Sequence, residues 1–157
     1  MEQKIAIVTG ASSGLGEAMT WSLLNSGYLV YGGSRSESPI SHSNFIDLEL
    51  DVRQESSVIA FYREVAKETE VVDLLVNNAG ICELSSIQET DGKTFADQFA
   101  TNVMGSFHML KHFEPLIIEE ESYIINVLAT AALEAYPGAG SYTAVEMAKK
   151  GLCEVVE

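Results

Sequence analysis

A chain of 157 residues with 46% hydrophobic and 20% charged content carries enough apolar material for one compact domain with a buried core and is too short for two. Its net charge of -14 argues against nucleic acid and anionic membrane as partners, since both call for a basic patch, so an anionic ligand has to be held by local features. No apolar run approaches a membrane span, and Cys82 and Cys153 match no metal or redox spacing, which together predict a cytoplasmic chain with free thiols.

Apolar runs of strand length alternate with segments of helical period. The first run, KIAIVT at 4–9, leads into a segment where Leu15, Met19 and Leu23 recur at helical spacing before Gly27, a helix stop. YLVYGG at 28–33 and FIDLEL at 45–50 predict the second and third strands. Val58, Phe61, Tyr62 and Val65 then lay one apolar stripe along a helix. VVDLLV at 71–76 predicts a fourth strand, Val103, Phe107 and Leu110 a further helix, and SYIINVL at 122–128 a fifth strand. This alternation predicts a doubly wound α/β fold, a parallel sheet with helices on its faces. Neither repeat nor low-complexity linker interrupts it, so residues 1–157 read as a single domain.

The turn between the first strand and the first helix, IVTGASSGLG, carries Gly10, Gly14 and Gly16. Glycine there allows a tight turn and brings amide N–H groups against a diphosphate at the positive end of the helix. Ser12, Ser13 and Leu15 in the same turn join the glycines as candidate nucleotide contacts; the alternative is a turn that merely joins strand to helix. The second strand ends at Ser34 and Arg35, near the place where such folds distinguish a ribose hydroxyl from a 2′-phosphate. An arginine fork suits phosphate and predicts NADP, whereas Glu37 keeps NAD open; the alternative for Arg35 is a solvated loop charge.

TGASSGLG at 9–16, LDV at 50–52, NNAG at 77–80 and TNVMG at 101–105, in this order, resemble the motifs of the classical short-chain dehydrogenases/reductases. The resemblance implies a Rossmann-like sheet of order 3-2-1-4-5. It also implies that Asp51 and Val52 flank an adenine, that Asn78, Ala79 and Gly80 line the ribose side, and that Asn102 anchors a water. Read without it, Asn78 and Asp51 could equally satisfy backbone groups at strand ends. Family members normally continue past this point, so the expected sheet lacks their last two strands and leaves IINVL at an edge.

The family's catalytic pattern is a serine after the fifth strand, then a tyrosine, then a lysine one helical turn on. Tyr142 fits the tyrosine, but Ala129 stands at the serine's place and Glu146 at the lysine's. Thr130 is adjacent to Ala129, and on a continuing strand its side chain points to the opposite face. A phenol with a pKa near 10 needs help to give up a proton at neutral pH. At about 5 Å and an effective dielectric of about 20, a unit charge is worth ~3 kcal/mol, or about 2 pKa units. A carboxylate applies that effect in the wrong direction. Lys149 lies on Tyr142's helical face but about 10 Å along the axis, and Lys150 stands one turn after Glu146 as an ordinary surface ion pair.

His108 and His112 are expected on a helix surface, with no third ligand in view for a metal, and Glu119, Glu120 and Glu121 in a solvated turn. The helices at 101–113 and 142–155 resemble the pair through which family members dimerise, with Val145, Leu152 and Val156 as a candidate apolar face for a homo-oligomer, or else for packing on the sheet. The expectation is an NADP(H)-dependent oxidoreductase. It would transfer hydride between the nicotinamide and a small-molecule carbonyl or alcohol, with Tyr142 as proton donor and Asn102 as water anchor, impaired by Ala129 and Glu146. The rival reading is a non-catalytic dinucleotide-binding or oligomerising protein.

Overall fold

The computed structural model describes residues 3–118 and 121–155. Five parallel strands, β1 (Ile5–Thr9), β2 (Leu29–Ser34), β3 (Phe45–Glu49), β4 (Leu74–Asn77) and β5 (Tyr123–Asn126), form one sheet of order β3-β2-β1-β4-β5. Helices α1 (Gly14–Asn25), α2 (Glu55–Val65), α3 (Gly92–Phe99), α4 (Gly105–Phe113) and α5 (Gly140–Cys153) connect or follow them. The Rossmann-like order expected from the motifs is therefore the order found.

Alternation along the strands sorts the core into two layers. Ile7, registered with Tyr31 on β2 and Leu75 on β4, faces α2 and α4, where Val58, Phe61, Val65, Met109 and Phe113 pack. Ala6 and Val8, registered with Val30 and Val76, face the other way onto Ala11 and Leu24 of the α1 side. Because each residue of β1 and β4 is covered on one face or the other, these strands read as continuous apolar runs.

The helices depart from the expected faces at two places. On α1 the buried line is Gly16, Thr20 and Leu24, while Met19 and Leu23 only flank the core and Leu15 is 58% exposed. The cause is close packing: a Cβ at Gly16 would lie 2.1 Å from the Gly10 carbonyl oxygen, so the helix presses its narrowest line onto the β1 end. Thr20 is tolerated there because its hydroxyl donates to Gly16 O at 2.8 Å. Before α4, residues Ala100–Met104 wind as a π-helical turn, and such a turn rotates the face that follows. Val103 stays buried, but Phe107 is left exposed while Met109 and Phe113 fill the core and Leu110 only packs against it.

Two further expectations change. His108 is buried, not on the surface, with Nδ1 2.9 Å from Val52 O, whereas His112 Nε2 lies 2.8 Å from Glu55 Oε1 on α2. The two imidazoles thus take different partners. Val145 is wholly buried, so it packs inside and offers no face to a second subunit; Met104, Phe107, Met147 and Val155 are large apolar residues exposed in this helical region. Glu119, Glu120 and Val156 lie outside the described residues, and Glu121 is exposed in a turn. β5 pairs with β4 alone among the described strands, leaving Tyr123 and Ile125 exposed.

The rotated face of α4 is testable. Phe61→Ala, in the core, is expected to cost about 3–5 kcal/mol, and Phe107→Ala less than about 0.5 kcal/mol, read from urea unfolding midpoints. Equal losses would mean that Phe107 is core.

Candidate functional site

The carboxyl ends of β1, β2 and β4, with the loop that follows β3, open into one cleft of about 380 Å³. Gly10, Ser12, Ser13, Leu15, Gly16, Ser34, Arg35, Asp51, Val52, Asn78, Ala79 and Gly80 all line it. Gly14, the remaining candidate of the turn, opens α1 at φ 57 and lies just off the lining. Gly10, at φ 72, donates its N–H to Gly33 O at 2.7 Å, which folds the turn back over the β2 end. α1 has no side-chain cap at Ser13, so its first amides and positive end face the cleft unopposed.

The polar inventory separates ligand-facing groups from structural ones. Asn78 serves the backbone: its Nδ2 donates to Thr9 O at 2.9 Å, and Thr9 Oγ1 accepts from the N–H groups of Asn78 and Ala79. Asp51 is engaged by Arg53, whose Nε and Nη2 donate to its two oxygens at 2.9 and 2.6 Å. That hydrogen bonding holds the Asp51 carboxyl below its usual range. Arg53 was missed from sequence, although its place directly after the LDV motif marks it as a cleft residue. Two groups stay unmatched at the cleft: Ser34 Oγ is buried with no partner, and Arg35 makes no ion pair among the described residues. A hydroxyl, a guanidinium and an uncapped helix end converging on one space fit an anionic diphosphate or phosphate group.

A second cleft of about 230 Å³ adjoins the first at Asn78, Gly80 and Ile81 and is lined by Asn102, Ala129, Tyr142, Glu146 and Lys149. Tyr142 and Asn102 are thereby brought to one place, as expected. The surroundings differ. Glu146 does not pair with Lys150, which bonds Glu154 instead. It is buried at 3% exposure; Oε1 accepts from Asn102 Nδ2 at 3.0 Å and Oε2 from the Ala129 N–H at 2.8 Å. Asn102 also clasps Ile81, accepting from its N–H and donating to its carbonyl, both at 2.9 Å. Both Nδ2 protons are therefore engaged.

Thr130 does not replace the missing serine hydroxyl: β5 ends at Asn126, and Thr130 stands exposed at the start of a short 3-10 turn. Lys149 was expected beyond reach along α5, yet it enters this cleft from the side. Its buried Nζ donates to Val127 O at 2.8 Å, and burial lowers its pKa against the opposing pull of Glu146. The spacing Glu146 to Lys149 on one helix face was the available signal. The Tyr142 phenol is pushed up to about 12, first by burial and then by the Glu146 charge.

The family profile described as short chain dehydrogenase matches residues 4–157. The chain belongs to this family. Among the related short-chain dehydrogenases, the NADPH-dependent pterin aldehyde reductase of Arabidopsis thaliana is 31% identical over 98% of this chain and 67% of its own length. The oxidoreductase YusZ of Bacillus subtilis is 34% identical, over 98% and 59%. A solved member from Burkholderia phymatum in complex with NAD superposes with a TM-score of 0.91 at 27% identity, covering 99% of this chain and 59% of that one. An alcohol dehydrogenase from Thermococcus sibiricus complexed with 5-hydroxy-NADP gives 0.88 at 26% identity, over 98% and 69%. The chain thus spans about three fifths to two thirds of the length of such relatives.

The raised phenol yields a pH prediction. The phenolate absorbance difference between the natural chain and Tyr142→Phe is expected to develop near pH 12. Glu146→Gln should move it down but not to 10.0, because burial is the larger cause. The folded state keeps a proton that the unfolded state loses above 10.0, so this group makes stability fall as pH rises from 10.0 toward about 12. Titration near 10.0 in the folded chain would contradict the assignment.

Proposed function

We propose that this short-chain dehydrogenase binds NADP(H) in the larger cleft and serves hydride transfer between the nicotinamide and a small carbonyl or alcohol in the adjoining one. The observation that carries the reading is the convergence on one cleft of the uncapped α1 end, the Ser34 hydroxyl and the Arg35 guanidinium, the last two without a partner among the described residues. Ser12, Ser13 and the amides around Gly14 and Gly16 would hold the diphosphate, and Arg35 with Ser34 the 2′-phosphate. Val52 and Asp51 would bound the adenine, and Ala79 and Gly80 the ribose side. The bound nicotinamide supplies or accepts the hydride.

Around the reacting carbon, this chain's own residues give weak acid–base support. Tyr142 would give its proton to the carbonyl oxygen, but its phenol is a poorer acid than free tyrosine. Ala129 has no hydroxyl with which to polarise the carbonyl, and its N–H is committed to Glu146. Asn102, with both amide protons engaged, positions Ile81 and Glu146 and keeps only oxygen acceptor capacity for a water. Slow carbonyl turnover is the consequence. The same observations favour a second reading, a dinucleotide-binding protein without chemistry of its own. Either reading goes with one cofactor-binding domain acting in the cytoplasm, and the exposed Met104 and Phe107 leave room for a homo-oligomer.

Calorimetric titration should show NADPH bound more tightly than NADH, with Arg35→Ser weakening NADPH by about one to two orders of magnitude and leaving NADH nearly unchanged. NADPH turnover with carbonyls should be lost in Tyr142→Phe. In a double Ala129→Ser, Glu146→Lys variant it should rise by about a hundredfold or more. Binding without turnover, unrepaired by the double change, supports the second reading, and a folded chain that binds neither nucleotide contradicts both.

A further inference from the structure

Carbonyl reduction builds negative charge on oxygen as the new C–H bond forms, and that charge needs a donor or a cation beside it. The cleft at Tyr142 offers the opposite. Glu146 is buried with both carboxyl oxygens accepting, the Ala129 N–H is directed at Glu146, and Lys149 Nζ is turned onto Val127 O. Lys149 is the one cation among the residues that line this cleft, and besides Glu146 the other polar residues lining it are Asn78, Asn102, Tyr142 and Cys82. A developing oxyanion here would meet an anion, whereas a substrate cation would meet its counter-charge.

From this geometry we infer that the hydride acceptor suited to the cleft is a protonated imine, a small cyclic iminium whose nitrogen lies against Glu146. The inference rests on the reading that the adjoining cleft holds NADP(H). The imine carbon takes the hydride from C4 of the dihydronicotinamide, forming a C–H bond. The π pair of the C=N⁺ bond becomes the nitrogen lone pair, and the positive charge passes from substrate to the oxidised nicotinamide. The N–H proton stays in place. No acid acts in the step and no oxyanion forms, so the substitutions at positions 129 and 146 remove nothing that this chemistry requires. A carboxylate beside the nitrogen also raises the pKa of the imine and keeps it protonated near neutral pH. The Tyr142 phenol, raised chiefly by its burial, is raised further by the same Glu146 charge. A space of about 230 Å³ admits a one- or two-ring imine.

The test uses the natural chain loaded with NADPH or NADP⁺, retention of the nucleotide being checked first by calorimetry. Turnover of 3,4-dihydroisoquinoline is compared with 1-tetralone by NADPH absorbance. Binding of the 1,2,3,4-tetrahydroisoquinoline cation is compared with isochroman, its oxygen isostere, by saturation-transfer NMR on the NADP⁺ complex. The imine should turn over, and the cation should bind, at least about tenfold better than the neutral counterpart. Glu146→Gln should erase both preferences while NADPH retention and far-ultraviolet circular dichroism stay unchanged. If Glu146→Gln does not fold, the natural chain decides alone: its preference for imine over ketone and for cation over isochroman must each reach at least about tenfold. A chain that retains NADPH but prefers the ketone, or shows no preference for the cation, overturns the inference and leaves the cofactor reading standing. A folded chain that does not retain NADPH overturns that reading and the inference with it.

Discussion

The backbone contact between Gly16 and Gly10 is the constraint on which the cleft depends. Any side chain at position 16 would collide with the Gly10 carbonyl and with the Asn78 amide, so α1 starts directly on the β1 end only because nothing stands between them. That approach lets Asn78 reach Thr9 O, gathers two amides onto Thr9 Oγ1 and leaves the first turn of α1 pointing at open space. Close packing of backbone against backbone thus creates both the junction of β1 with β4 and the anion-facing end of the helix.

A second, independent set of contacts organises the adjoining cleft. Ala129 N–H, Glu146 and Asn102 form a closed arrangement in which a buried carboxylate has a donor on each oxygen and Asn102 in turn fixes Ile81. A buried charge without such partners is strongly destabilising. The residues found in place of serine and lysine are therefore mutually satisfied, and Lys149 is likewise satisfied at Val127 O. The cleft beside Tyr142 holds a buried carboxylate at the position of the family's lysine and joins the larger cleft through Asn78, Gly80 and Ile81.

Much of this was legible in the sequence because it depends on local pattern. The five strand runs and the sheet order implied by the motif series appear where the residues pointed, and the candidate cofactor residues other than Gly14 line one cleft. The helix faces were less legible. The burial of Gly16, Thr20 and Leu24 follows from a backbone collision that hydrophobic spacing does not encode, and the exposure of Phe107 follows from the π turn at Ala100–Met104. Partners across the fold were hidden for the same reason. Nothing near Glu146 in sequence announces Asn102, and the nearer Lys150 is taken by Glu154. His108 read as a surface residue until α4 was seen to turn it onto Val52 O.

Backbone amide hydrogen exchange with and without NADPH probes the central claim, that the exposed amides at the start of α1 grip a pyrophosphate. The account predicts slowed exchange concentrated at residues 12–16, with smaller protection at 79–81. Unchanged exchange through the glycine turn of a folded chain at saturating NADPH would contradict it.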